Sequence, residues 1–143
     1  MTIDIANHQD HAPLDRKTLR ALCRQVLRSH QREGDLSLCY VDNAAIRELN
    51  QRYLDRDEVT DVLAFPLEGG PGPDADRLLG EIVVSVEKAA AEAAARGVPA
   101  EAEIALYTAH GLLHLLGYDD HDPDETRAMR DAEHKALADA GLI

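Results

Sequence analysis

Three of the seven histidines fall in one short run, His110-Gly111-Leu112-Leu113-His114-Leu115-Leu116-Gly117-Tyr118-Asp119-Asp120-His121. If the run begins on a helix, His110 and His114 are four residues apart and their rings project from one face at stacked positions. That spacing suits a single divalent cation. Gly117 follows His114 by three residues, where a glycine takes the left-handed conformation that reverses a chain at a helix C-terminus at almost no cost. The reversal would return His121 to the other two rings. Three neutral imidazoles with a fourth position open form the donor set of a catalytic zinc site, where water is acidified to a pKa of about 7. Structural sites close all four positions, usually with thiolates. The two cysteines, Cys23 and Cys39, stand singly and far from the histidines along the chain.

The spacing overlaps that of metzincin proteases, which also place a glycine three residues after the second histidine and a third histidine beyond it. Those enzymes need a glutamate directly after the first histidine as general base. Here that position is Gly111, which carries no proton, and this argues against a peptidase.

The run resembles the signature of the YbeY family, metal-dependent endoribonucleases of bacterial ribosomal RNA maturation, which reads roughly H-G-x-L-H-L-x-G-Y-D-H. Two further blocks are similar to the family in the expected order. One runs from Glu48-Leu49-Asn50 through Tyr53 to Thr60-Asp61-Val62-Leu63-Ala64-Phe65-Pro66, and the other is Leu79-Gly80-Glu81-Ile82-Val83. Together they cover most of residues 36–121. The resemblance implies one zinc ion per chain held by His110, His114 and His121, with these residues catalytic through the water they help to activate. It implies that Thr60, Asp61 and the strand to Phe65 border the cleft. It also implies an arginine after the tyrosine of the second block, but Leu54 follows Tyr53 here, with Arg52 and Arg56 flanking it. Asp119 and Asp120 both precede the third histidine, one residue more than the family pattern. His121 is therefore favoured as third ligand, since a loop after a glycine turn can absorb one residue, with Asp120 as the alternative. Ala64 stands where the family has serine.

From the resemblance the expected activity is cleavage of single-stranded RNA, in maturation of the 16S ribosomal RNA 3′ end and in ribosome quality control. The expected partners are that RNA and proteins of the small ribosomal subunit, with neither membrane nor DNA. Two rivals stand beside it: a noncatalytic ribosome-assembly factor whose metal stabilises the fold, and a metal hydrolase with another substrate.

The elements that must position these residues are legible in outline. A chain of 143 residues is expected to form one domain, burying roughly 70% of the surface exposed when unfolded. No apolar run approaches the roughly 20 residues of a membrane span, and the first residues lack the basic start and apolar stretch of a leader. Unpaired cysteines agree with a reducing, cytoplasmic setting. The net charge of −12 argues against general binding to nucleic acid. The charge is uneven: residues 1–60 carry 9 basic and 10 acidic side chains, residues 61–143 carry 6 and 17.

Alternation predicts strands at 2–6, 35–41, 60–67 and 79–86, the last apolar without interruption at Ile82-Val83-Val84 and so buried on both faces. Helical periodicity predicts a helix over 14–32 stopped by Gly34, and a second capped by Asp42 or Asn43. A third opens at Ser85 or Glu87 and ends at Gly97. The metal helix follows Pro99, and the last starts at Asp122-Pro123-Asp124-Glu125. Residues 68–74 read as a glycine- and proline-rich loop. The order βαβαββααα gives an α+β fold, close to α/β, with about four strands in a mixed sheet packed by about five helices and the metal site on a buried central helix.

The first helix carries Arg16, Lys17, Arg20, Arg24 and Arg28, with Arg32 beyond and no acid among residues 16–32. Such a ridge, with Arg20, Arg24 and Arg28 at its centre, either tracks a phosphate backbone or is a solvated face. Asp119, Asp120, Asp122 and Asp124 either cap and solvate or orient the histidine rings. Glu103 and Tyr107 read as local packing, and His8, His11, His30 and His134 as surface residues. Five aromatics leave little for base stacking, so RNA contacts should rest on the backbone.

Overall fold

The structure is a computed structural model that describes residues 2–67 and 78–143. The glycine- and proline-rich stretch therefore lies outside the described residues. Among the described residues, four strands and five helices follow the expected order: β1 (Ile3–Asn7), α1 (Arg16–Ser29), β2 (Asp35–Val41), α2 (Asn43–Leu54), β3 (Val62–Pro66), β4 (Leu78–Ser85), α3 (Val86–Arg96), α4 (Ala100–Leu115) and α5 (Pro123–Asp139). No helix among the described residues is long and apolar enough to cross a membrane.

Side chains that accept from backbone N–H groups fix where the helices begin. Asp15, Asp42, Ser85 and Asp122 each cap one, accepting from Thr18, Ala45, Lys88 and Glu125. Gly97, at φ 69°, closes α3. The first helix is shorter than its periodicity predicts, because the chain turns at His30 and Gln31, the latter at φ 55°, well before Gly34.

The sheet order is β1-β2-β4-β3, with β1, β2 and β4 parallel and β3 antiparallel to β4. Strand alternation sorts the side chains into two layers. Leu36, Leu38, Tyr40, Ile82 and Val84 join α1, α4 and α5 in the main core. Val41, Leu63 and Val83 meet Ile46 of α2 on the other face. The unbroken Ile82-Val83-Val84 run is thus buried on both sides, as its composition predicts. Cys23 lies in the main core, where burial pushes its thiol up to about 12.

The central helix is α4. Ile104, Ala105, Tyr107, Ala109, Leu112 and Leu113 are all buried, whereas Glu101 in its first turn is exposed and His110 and His114 toward its end are half-buried. Gly111 lets α4 settle on the sheet: a Cβ there would lie 2.7 Å from Ile82 Cγ2 and 2.9 Å from Val62 Cγ2. The position that a protease would fill with its catalytic glutamate is here a packing contact with β3 and β4.

Candidate metal centre

The end of α4 delivers His110 and His114 to the surface side by side, their Nε2 atoms 3.1 Å apart and their rings nearly perpendicular. Glu133 of α5 meets the other nitrogen of His110, with Oε2 to Nδ1 at 3.0 Å. An ionised carboxylate only accepts, so Nδ1 carries the proton and Nε2 presents its lone pair toward His114. Two ring nitrogens this close either share a proton or share a cation. A tetrahedral zinc with bonds of about 2.0–2.1 Å would hold its nitrogens about 3.3–3.4 Å apart, so the pair fits one ion with a shift of a few tenths of an ångström.

The loop after α4 carries the further candidate donors. Gly117 adopts φ 104°, and Tyr118 N–H returns to the Leu113 carbonyl at 3.0 Å, so the chain reverses as the glycine predicts. The reversal brings Asp120, not His121, to the pair: one donor atom each from His110, His114 and Asp120 lie within 4.8 Å of one another. This differs from the favoured expectation of three imidazoles. The reason is the short path to α5. Asp122 is committed to capping that helix, Thr126 Oγ1 donates to the Asp120 carbonyl, and the next ring turns outward. His121 pairs instead with Asp119, Nδ1 to Oδ2 at 3.2 Å, and groups with Asp119 and Glu125 while 78% of its side chain is exposed.

These residues line a cleft of about 670 Å³ whose walls include Leu54, Arg56, Thr60, Asp61, Asp119 and His121. Thr60 and Asp61 thus line the same cleft as His110 and His114. Asp61 is held in place by Val62 N–H at 2.8 Å. Arg56 reaches the cleft, whereas Arg52 lies outside its lining, paired with Glu48 on the same helix at 2.6 Å. The loop carrying Arg56 is braced by the two-pronged contact of Arg47 with Asp57, at 2.7 and 3.2 Å, and by Asn50, which donates to the Glu58 carbonyl. Arg20, Arg24 and Arg28 take no part in the cleft lining. Glu103 accepts from Arg96 at 2.6 Å, the local pairing expected of it.

Two contributors were not singled out from the sequence. Glu133 sits on the apolar stripe of α5, between the buried Met129 and Leu137, and a carboxylate at such a position is the signal that finds it. His30, expected at the surface, is half-buried: Nδ1 donates to the Val26 carbonyl and Nε2 accepts from Tyr118 at 2.9 Å, which ties α1 to the metal loop.

Burial of the His110 ring opposes its charge, but Glu133, through both hydrogen bond and charge, and then Asp61 and Asp120 raise its pKa above the ordinary value. Protonated His110 therefore stabilises the cation-free fold below the unfolded pKa of about 6.5, and that contribution is lost as pH rises through the raised value. A cation requires the neutral ring, so binding is expected to tighten as pH climbs through that window. Glu133→Gln should move the midpoint of this pH dependence downward and weaken cation binding above it about 10–100-fold. Calorimetric titration across pH reads both changes, and an unaltered profile would remove Glu133 from this role.

Fold and site together define a small α+β protein with a histidine–carboxylate cation cluster at the open end of its central helix. Residues 4–141 match the family model described as Endoribonuclease YbeY. The chain is 41% identical over 142 residues to the Endoribonuclease YbeY of Carboxydothermus hydrogenoformans, covering 97% of both. It is 40% identical over 139 residues to that of Anaeromyxobacter dehalogenans, covering 96% of this chain and 70% of the relative. The solution structure of TM1509 from Thermotoga maritima superposes with a TM-score of 0.67 at 25% identity, over 96% of this chain and 88% of that one. The chain belongs to the endoribonuclease YbeY family.

Proposed function

We propose that this protein is a zinc-dependent endoribonuclease that cuts single-stranded RNA, acting in the cytoplasm on the 3′ region of 16S ribosomal RNA and in ribosome quality control, in contact with proteins of the small subunit. Family membership supports the activity, and the observation that carries it is the His110–His114 nitrogen pair with Asp120 in reach at the cleft. Two imidazoles and a carboxylate leave a position open, as in catalytic zinc sites of the His₂Glu type. When bound, the ion supplies a Lewis acid for a phosphoryl oxygen and water acidified near neutral pH.

The chain's own residues set the rest. Glu133 fixes the His110 tautomer, and Asp61 and Asp120 hold negative charge around the pair. Arg56 is the one guanidinium that lines the cleft among the described residues, and we assign to it the phosphate contact, since Leu54 occupies the family arginine position. That Leu54 is half exposed on the cleft wall also favours the noncatalytic assembly factor as the second reading.

Two variants decide the third ligand. Asp120→Ala is expected to abolish stoichiometric zinc and RNA cleavage, while His121→Ala keeps the metal. The reverse result would return His121 to the ligand set. Zinc analysis of the purified wild-type protein with a single-stranded RNA cleavage assay tests the larger claim. Loaded protein that binds ribosomal subunits and cuts nothing would replace the enzyme with the assembly factor.

A further inference from the structure

The structure divides the basic row of α1 in two. Arg16 and Arg20 reach back to the sheet edge, donating to the carbonyls of Ile5 at 2.9 Å and Ile3 at 3.0 Å, so this end of the row braces β1. Arg24 and Arg28 have no such duty. Both are exposed, neither side chain makes a hydrogen bond or ion pair with another described residue, and they line an open cavity of about 600 Å³ with Gln31, Arg32 and Glu33. In a chain of net charge −12 this cavity gathers three arginines, Arg24 and Arg28 of α1 among them, against the single carboxylate of Glu33. It is bounded rather than broad, because Glu33 lies in the same cavity and Asp131 lines the neighbouring groove between α1 and α5, where Asp139 is paired with Lys135. At its far end, His30 holds Tyr118 at the start of the loop that carries Asp120.

We propose that Arg24 and Arg28 anchor the phosphodiester backbone of an RNA strand outside the cleft, gripping a segment that flanks the one held at His110 and His114. This rests on the reading that RNA is the substrate. Guanidinium groups match phosphate in a fork geometry, and two of them four residues apart on a helix are separated by about 6 Å along its axis. A narrow positive track flanked by carboxylates suits one strand rather than a duplex or an acidic protein face. The strand must also be long enough. α1 braces β1, while β3 borders the cleft, and these are the two outer strands of the sheet, about 14 Å apart at about 4.8 Å per strand.

The test compares two single-stranded RNAs, of about 4 and about 20 nucleotides, by fluorescence anisotropy over a range of salt concentrations, in a His114→Ala background so that neither is cut. Arg24→Gln with Arg28→Gln is expected to lower the salt slope for the long RNA by about 1.4, at about 0.7 per lost phosphate contact, and its affinity near 0.1 M salt about tenfold. The short RNA should show no change in slope, and Arg24→Lys with Arg28→Lys should restore the long-RNA slope. An unchanged slope while the long RNA still binds would overturn the anchor and leave the nuclease reading in place. Failure of the long RNA to bind both this background and the zinc-loaded wild type, with the arginines intact, would overturn both.

Discussion

His114→Ala is expected to empty the site and lower RNA cleavage by about 10³-fold or more. The ion is asked for several kcal/mol of charge stabilisation, and about 1.4 kcal/mol corresponds to tenfold in rate. With one of the two facing nitrogens removed, His110 keeps Glu133 on one side and has no second imidazole on the other. His114 is only half-buried, at the last turn of α4, so the variant should fold. Zinc content by mass spectrometry and cleavage rate are measured on the same preparation, with melting of metal-free wild type and variant as the control. Wild-type cleavage from a variant without metal would show that this site does not carry the reaction.

The second large effect concerns stability. Gly111→Val should lower the melting temperature by about 10 °C, through an overpacking cost of about 3 kcal/mol in a chain of this size. Its first added carbon already meets Ile82 Cγ2 at 2.7 Å and Val62 Cγ2 at 2.9 Å, and Ile82 is fully buried with nowhere to move. The branch adds two more atoms to the same seam. Since this residue follows His110 directly, lifting the helix also shifts the ring pair, and zinc affinity should fall with stability. Differential scanning calorimetry and zinc titration read the two effects. A melting point equal to that of the wild type would mean that helix and sheet have room to spare at this seam.

Local chemistry made the element order legible: strand alternation, and caps such as Asp42, Ser85 and Asp122 that act where a sequence reader expects them. The His110–His114 pair was legible for the same reason, because helix geometry alone places the two rings together. What spacing along the chain does not encode is distance across it. Glu133 reaches His110 from another helix, and Arg20 turns inward to a strand carbonyl although its neighbours Arg24 and Arg28 stay free for phosphate. The choice of third ligand turns on the same distances across the chain. Counting residues after Gly117 favours His121 over Asp120, whereas the folded loop groups Asp120 with the histidine pair and His121 with Asp119 and Glu125, beside the Asp122 cap of α5.

The two halves of the cation site are built to different standards of rigidity. The imidazole pair rides on a helix walled in by the core, so its backbone amides should exchange with solvent only when the whole molecule unfolds. Asp120 rides on an exposed connection that can open by itself, leaving the pair in place. An ion would therefore enter and depart by the loop side, and the hold on it would be loosened at that one carboxylate without melting the scaffold.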